Sequence, residues 1–170
     1  MSSHQIVPSD FCKAGEILEG SLPVSGLERL ASACADTTGE VVWKVVGSLD
    51  IHQRPRLLLS VSGDLCLVCQ RCLDVMPFRL DTETAVIVTF SEPEADEVES
   101  ALDDDDRTEV VVSDGKVDVM DLIEDEALLA LPLSARHDVC PDKKAGRWKE
   151  KKDSPFAVLG QLKRGNGNKK

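Results

Sequence analysis

From Glu40 to Phe90 apolar and β-branched residues recur in alternation or in short continuous runs bounded by turn residues, the pattern of strands. The first run, VVWKVVGSLDI, stops at His52-Gln53-Arg54-Pro55. RLLLSVSGDLCLV follows from Arg56, with Gly63 expected to mark a bulge or bend. The third run is longer: LDVMPFRL continues into DTETAVIVTF, where Ala85, Ile87 and Thr89 alternate with Val86, Val88 and Phe90. Short links between the runs suit antiparallel neighbours, because a parallel pair needs a crossover of about a dozen residues or more. The pattern predicts a three-stranded meander with CQRC, Cys69 to Cys72, at its second turn. EVVV at Glu109 to Val112 reads as a fourth strand, followed by the turn Ser113-Asp114-Gly115-Lys116.

The period then changes to that of a helix. Met120, Ile123, Ala127, Ala130 and Leu131 fall on one face, Asp118 is placed to cap, and Pro132 ends the run. Asp121, Glu124 and Asp125 lie in the first two turns, where the helix dipole favours negative charge. A second, short helix is predicted over 155–163, with Ser154 as cap, Pro155 at the first position and Phe156, Leu159 and Leu162 as its stripe. So short a helix has no stability of its own and must dock on the body or on a partner. Nearer the start, Leu27, Leu30, Ala31 and Cys34 predict a packing helix from Gly26 to Cys34 capped by Ser25. Residues 1–22 read as irregular. Residues 91–109 carry ten acidic side chains and one arginine, and with little to bury they read as a mobile acidic loop.

The expected fold class is therefore α+β: an antiparallel meander of four or more strands packed by the central helix at 118–131, with a short C-terminal helix. The expected organisation is an N-terminal segment with a short helix over 1–39, a core domain over 40–141, and a tail over 142–170.

Charge divides the chain at the same place. The net charge of −11 splits into ten Lys/Arg against 29 Asp/Glu over residues 1–142, a net of −19, and ten against two over residues 143–170, a net of +8. A body this acidic repels phosphate at long range, so RNA contact is expected of the tail. The candidates there are Lys143, Lys144, Arg147, Trp148, Lys149, Lys151 and Lys152: lysines pair with phosphates, and an indole can stack on a base. The rival reading is that the tail folds back on its own acidic body. No apolar run approaches the ~20 residues of a membrane span. The start, MSSHQIVPSDFCKAG, has neither the basic stretch nor the apolar stretch of a secretory signal. A cytoplasmic location is the expectation that follows.

In that compartment the six cysteines stay reduced, which favours thiols or a metal over disulfides. Thioredoxin-like chemistry places its C-x-x-C at a helix N-terminus, whereas CQRC lies between two strands. Cys69, Cys72, His137 and Cys140 are the one metal-like set, a C-x2-C and an H-x2-C that together could supply a tetrahedral Cys3His site for zinc. Cys66 is an alternative ligand. The bland reading is that these thiols are small buried hydrophobes beside an exposed His137. Glu124, Asp125 and Glu126 invite an acid/base or magnesium reading, but three consecutive helical positions do not share a face. Glu124 and Asp125 are expected to point outward, and Glu126 to make a buried or interfacial hydrogen bond. No phosphate-cradling loop, catalytic Ser/His/Asp order, HExxH or dinucleotide fingerprint is present, so no enzyme is expected.

Three stretches, in this order, carry a resemblance: CQRC; DLIEDEALLAL from Asp121 to Leu131, with Pro132 and His137-Asp138-Val139-Cys140 after it; and SPFAVLGQLKR from Ser154 to Arg164. Together the chain resembles the bacterial YceD-like family, the large ribosomal RNA subunit accumulation proteins. The resemblance implies a non-enzymatic factor supporting synthesis, processing or stability of the 23S ribosomal RNA. Its partner would be that RNA or its precursor, met directly or through ribosomal proteins. Some relatives carry a fuller cysteine cluster after the Leu-Pro, which looks zinc-binding, whereas this chain has only His137 and Cys140 there. The residues alone leave a second function class open: a zinc- or thiol-based regulatory adaptor that binds protein without touching RNA.

Overall fold

The computed structural model describes residues 5–102 and 108–141. The chain divides into one compact unit over Met1–Asp138 and a second over Val139–Lys170, of which only residues 139–141 are described. The tail residues singled out above and the helix expected at 155–163 lie outside the described residues.

The first unit is α+β, as the pattern predicts. In chain order it contains β1 (Gln5–Ile6), α1 (Pro8–Ala14), β2 (Ile17–Pro23), a single 3-10 turn (Val24–Gly26), α2 (Glu28–Ala33), β3 (Glu40–Leu49), β4 (Pro55–Val68) and β5 (Val75–Thr89). It continues through α3 (Glu92–Ala101), β6 (Thr108–Val112), β7 (Val117–Asp118) and α4 (Val119–Leu129). β2-β3-β4-β5-β6 form a five-stranded sheet, and β1 pairs with β7 in a separate ribbon. The meander β3-β4-β5 is antiparallel throughout.

Period-two alternation decides which face is buried. Val41, Trp43 and Val45 of β3, Leu57, Leu59, Val61 and Leu65 of β4, and Leu80, Val86 and Val88 of β5 all point inward. They are covered by Phe11 and Cys12 of α1, Leu30 of α2, and Ile123 and Ala127 of α4. The opposite face carries a smaller core. Ala85 and Ile87 there are buried, as are Ala95 and Val98 of α3, which packs on β5 and β6.

The structure corrects several of these expectations. The acidic segment read as a loop contains α3, whose Ala95 and Val98 are buried among carboxylates that hide the pattern. That helix is a crossover, so β6 joins β5 parallel and the sheet is mixed rather than purely antiparallel. Residues 1–22 are ordered from Gln5 onward, with β2 forming an edge of the sheet. Its alternation is hidden at Gly20, where a Cβ would stand 2.9 Å from the Trp43 indole, so the indole fills the place of a side chain. Gly63 is no bulge, because the register runs unbroken through Val41↔Gly63 and Gly63↔Leu80. It is required by a close approach instead: a Cβ there would lie 2.6 Å from the Glu40 carbonyl oxygen.

The link between α2 and α4 also differs from expectation. Ser25 lies in the 3-10 turn and caps nothing; α2 begins at Glu28. Its first amides are satisfied from α4: the Glu124 carboxylate accepts from the Arg29 N–H at 2.7 Å, the Leu30 N–H at 3.1 Å and Arg29 Nε at 2.9 Å. Glu124, expected to face solvent, is thus buried. Asp125 is exposed, as expected, and pairs with Arg29 Nη1. Glu126 is buried and accepts from the Thr82 and Thr84 hydroxyls, the buried hydrogen bond expected of it. At the helix start Asp118 caps as predicted, accepting from the Met120 N–H at 2.9 Å.

Burial alone would raise the Glu124 pKa, but the hydrogen bonds from the Leu30 N–H and from Arg29 outweigh it and hold the carboxyl below its usual value. A carboxyl lowered by folding contributes its full stability above its unfolded pKa, and that contribution is lost as pH falls through the folded value. Glu124→Gln is therefore expected to cost about 1.5–3 kcal/mol at neutral pH. The difference from wild type should shrink below about pH 4. Urea titrations at neutral and acid pH check both; a penalty unchanged in acid would mean that the charge on Glu124 is not what links the helices.

Candidate metal centre

β4 and β5 leave the sheet around CQRC as a tight turn. The Cys69 N–H donates to the Asp74 carbonyl at 3.0 Å and the Leu73 N–H to the Cys69 carbonyl at 2.9 Å, with Leu73 in the left-handed region at φ 62°. This fold of the backbone turns both thiols to one side. After α4 ends, the chain runs past this turn. The Gln70 N–H donates to the Ala135 carbonyl at 2.8 Å, Arg71 Nη2 to the His137 carbonyl at 3.0 Å, and the His137 N–H to Cys69 Sγ at 3.5 Å. His137 thereby arrives beside the turn, with Nδ1 3.4 Å from Cys72 Sγ. The ligand atoms of Cys69, Cys72, His137 and Cys140 all lie within 4.8 Å of one another.

The donor set and spacing fit zinc. Around a tetrahedral ion with Zn–S of about 2.3 Å and Zn–N of about 2.0 Å, a sulfur–nitrogen edge is about 3.5 Å long. The Cys72–His137 pair meets that edge. Zinc binds the thiolate, and Cys69 is prepared for it. Burial would raise its pKa, but N–H groups of Cys72, His137 and Arg71 point at the sulfur, with a further hydrogen bond from the His137 side chain, and lower it to about 5. Cys69 is fully buried, while Cys72, His137 and Cys140 are half-buried. This is a closed arrangement of the structural type rather than an open catalytic one. All six cysteines are free thiols.

Cys66, the alternative ligand, stands outside the cluster: it is half-buried on β4, and its carbonyl accepts from the Ala35 N–H. The exposed-histidine reading also gives way, since His137 is half-buried in the cluster. The contribution of Gln70 and Arg71 was not legible in the sequence, because Gln70 uses its main chain and Arg71 reaches main-chain oxygens. No helix among the described residues is long and apolar enough to cross a membrane.

Fold and site together define a small α+β protein with a cysteine–histidine knuckle at the β4–β5 turn. Its kinship is specific. The family described as Large ribosomal RNA subunit accumulation protein YceD matches residues 57–163, from β4 through the knuckle and α4 into the tail, and the chain belongs to that family. The Large ribosomal RNA subunit accumulation protein YceD of Haemophilus influenzae is 27% identical over 162 residues, covering 85% of this chain and 86% of the relative. No solved structure matches the chain.

Proposed function

We propose that this chain is a non-enzymatic, cytoplasmic factor that supports the accumulation of 23S ribosomal RNA, through its synthesis, processing or stability. The observation that carries this reading is family membership, strengthened by a relative of that printed name aligned over most of both chains. In this reading the Cys3His cluster holds zinc as a structural staple between the CQRC turn and the segment after α4. The basic stretch with Lys143, Lys144, Arg147, Trp148, Lys149, Lys151 and Lys152 contacts the RNA, since the rest of the chain is strongly acidic.

That same acidity supports a second reading, in which the knuckle protein is an adaptor that binds other proteins and meets the RNA only through them. Pull-down of the intact chain, washed without nuclease at moderate salt, separates the two. Under the first reading 23S RNA stays bound, and replacing Lys143, Lys144, Lys149, Lys151 and Lys152 by glutamine weakens retention. The slope of log affinity against log salt becomes shallower by somewhat less than one unit for each phosphate that the variant no longer neutralises. Equal RNA retention by the five-lysine variant would reject the tail as the RNA-binding element.

A further inference from the structure

The sheet has two edges, and they differ. β2 is blunted by Pro23 and by Gly20 at its centre, devices that discourage pairing. β6 has neither; its sequence is Thr-Glu-Val-Val-Val, rich in β-branched residues, with Val112 exposed. It pairs only with β5 among the described residues. The Ser113 N–H donates to the Thr89 carbonyl, and Val112 is the register partner of Thr89. A parallel ladder of that phase turns the main-chain N–H and C=O groups of Val110 and Val112 away from β5. Those groups form a short open template.

Negative charge flanks this template on both sides. On the face covered by α3, Glu92, Asp96, Glu97 and Glu99 are exposed and the helix contains no basic residue. On the opposite face Glu109 lies close enough to Glu126 and Asp125 to be repelled by them. A second copy of the chain pairing edge to edge would set two such fields against each other. A cationic strand would be drawn in by both.

We propose that β6 takes a lysine- and arginine-rich extended segment of a partner protein as a further strand of the sheet, held by the main-chain groups of Val110 and Val112 and selected by the carboxylates on either side. This docking edge is distinct from the knuckle and stands whether or not the RNA reading holds.

The test uses the full chain and a fluorescently labelled peptide of alternating lysine and valine, ~6 residues long, the length of an ordinary strand. Fluorescence anisotropy should show saturable binding, and the matching glutamate–valine peptide should not bind. N-methylation of the peptide amides on one edge should weaken binding about tenfold. Val110→Pro should do the same without loss of fold, because it removes only an outward N–H. Glu109→Lys should also weaken binding, so the idea remains testable if the proline variant fails to fold. Binding that ignores N-methylation would mean that charge alone attracts the peptide and would overturn the proposal. So would sedimentation showing self-association that Val110→Pro abolishes, which makes a second copy the occupant. Slow exchange of the Val110 and Val112 amides without peptide would place a segment of this chain on the edge, and it too would overturn the proposal.

Discussion

Ile123→Asp is expected to destabilise the first unit by about 4 kcal/mol or more, the largest effect of any single substitution considered. Ile123 is fully buried on the face of α4 that packs on β4 and β5, within the main apolar core. A carboxylate there would lose its hydration without a cationic partner, and it would fill the volume of the isoleucine side chain poorly. Asp125 lies on the other side of the same helix, half-exposed, paired with an equally exposed Arg29. Asp125→Asn should therefore cost less than about 1 kcal/mol, as exposed ion pairs do. Urea unfolding of the two variants checks the contrast. Similar losses would mean that the helical phase assigned to α4 is wrong.

The second large effect is expected at the knuckle. Protein purified without chelator should contain about one zinc per chain, and Cys72→Ser should lower zinc content and melting temperature together. The stabilisation is local, because the main core is already closed by α1, α2 and α4 without the cluster. Metal loss should therefore speed hydrogen exchange at the Gln70 and His137 amides, which donate to Ala135 and Cys69, and leave the β3–β4 ladder protected. Acid should release the metal, because protons compete with it for the thiolates and the imidazole. A chain that lacks metal yet keeps the Gln70 and His137 amides protected would show that hydrogen bonds alone hold the turn.

The contrast between these two regions shows what the sequence could and could not convey. The strands of the meander and α4 were legible because their apolar residues recur at periods of 2 and 3.6 toward the main core. α3 and β2 were not. In α3 two buried residues, Ala95 and Val98, sit among carboxylates, and in β2 the central inward position, Gly20, is filled by the buried indole of Trp43 from the neighbouring strand. The four knuckle residues were legible as residue types at plausible spacing, and the antiparallel β4–β5 pairing brings the first two to one turn. What placed His137 beside them was hidden in hydrogen bonds to main-chain oxygens, from the Gln70 N–H to Ala135 and from the Arg71 guanidinium to His137, that no residue pattern announces. Glu124 was misjudged for a related reason: the amides it satisfies belong to a helix that begins nearly a hundred positions earlier in the chain.

The most direct test of the functional account is the 23S ribosomal RNA itself, measured with sucrose-gradient profiles in cells lacking this chain. The account predicts a fall in 23S relative to 16S RNA and a loss of large subunits, both restored by the wild-type chain. Unchanged 23S abundance and an unchanged large-subunit peak would contradict it.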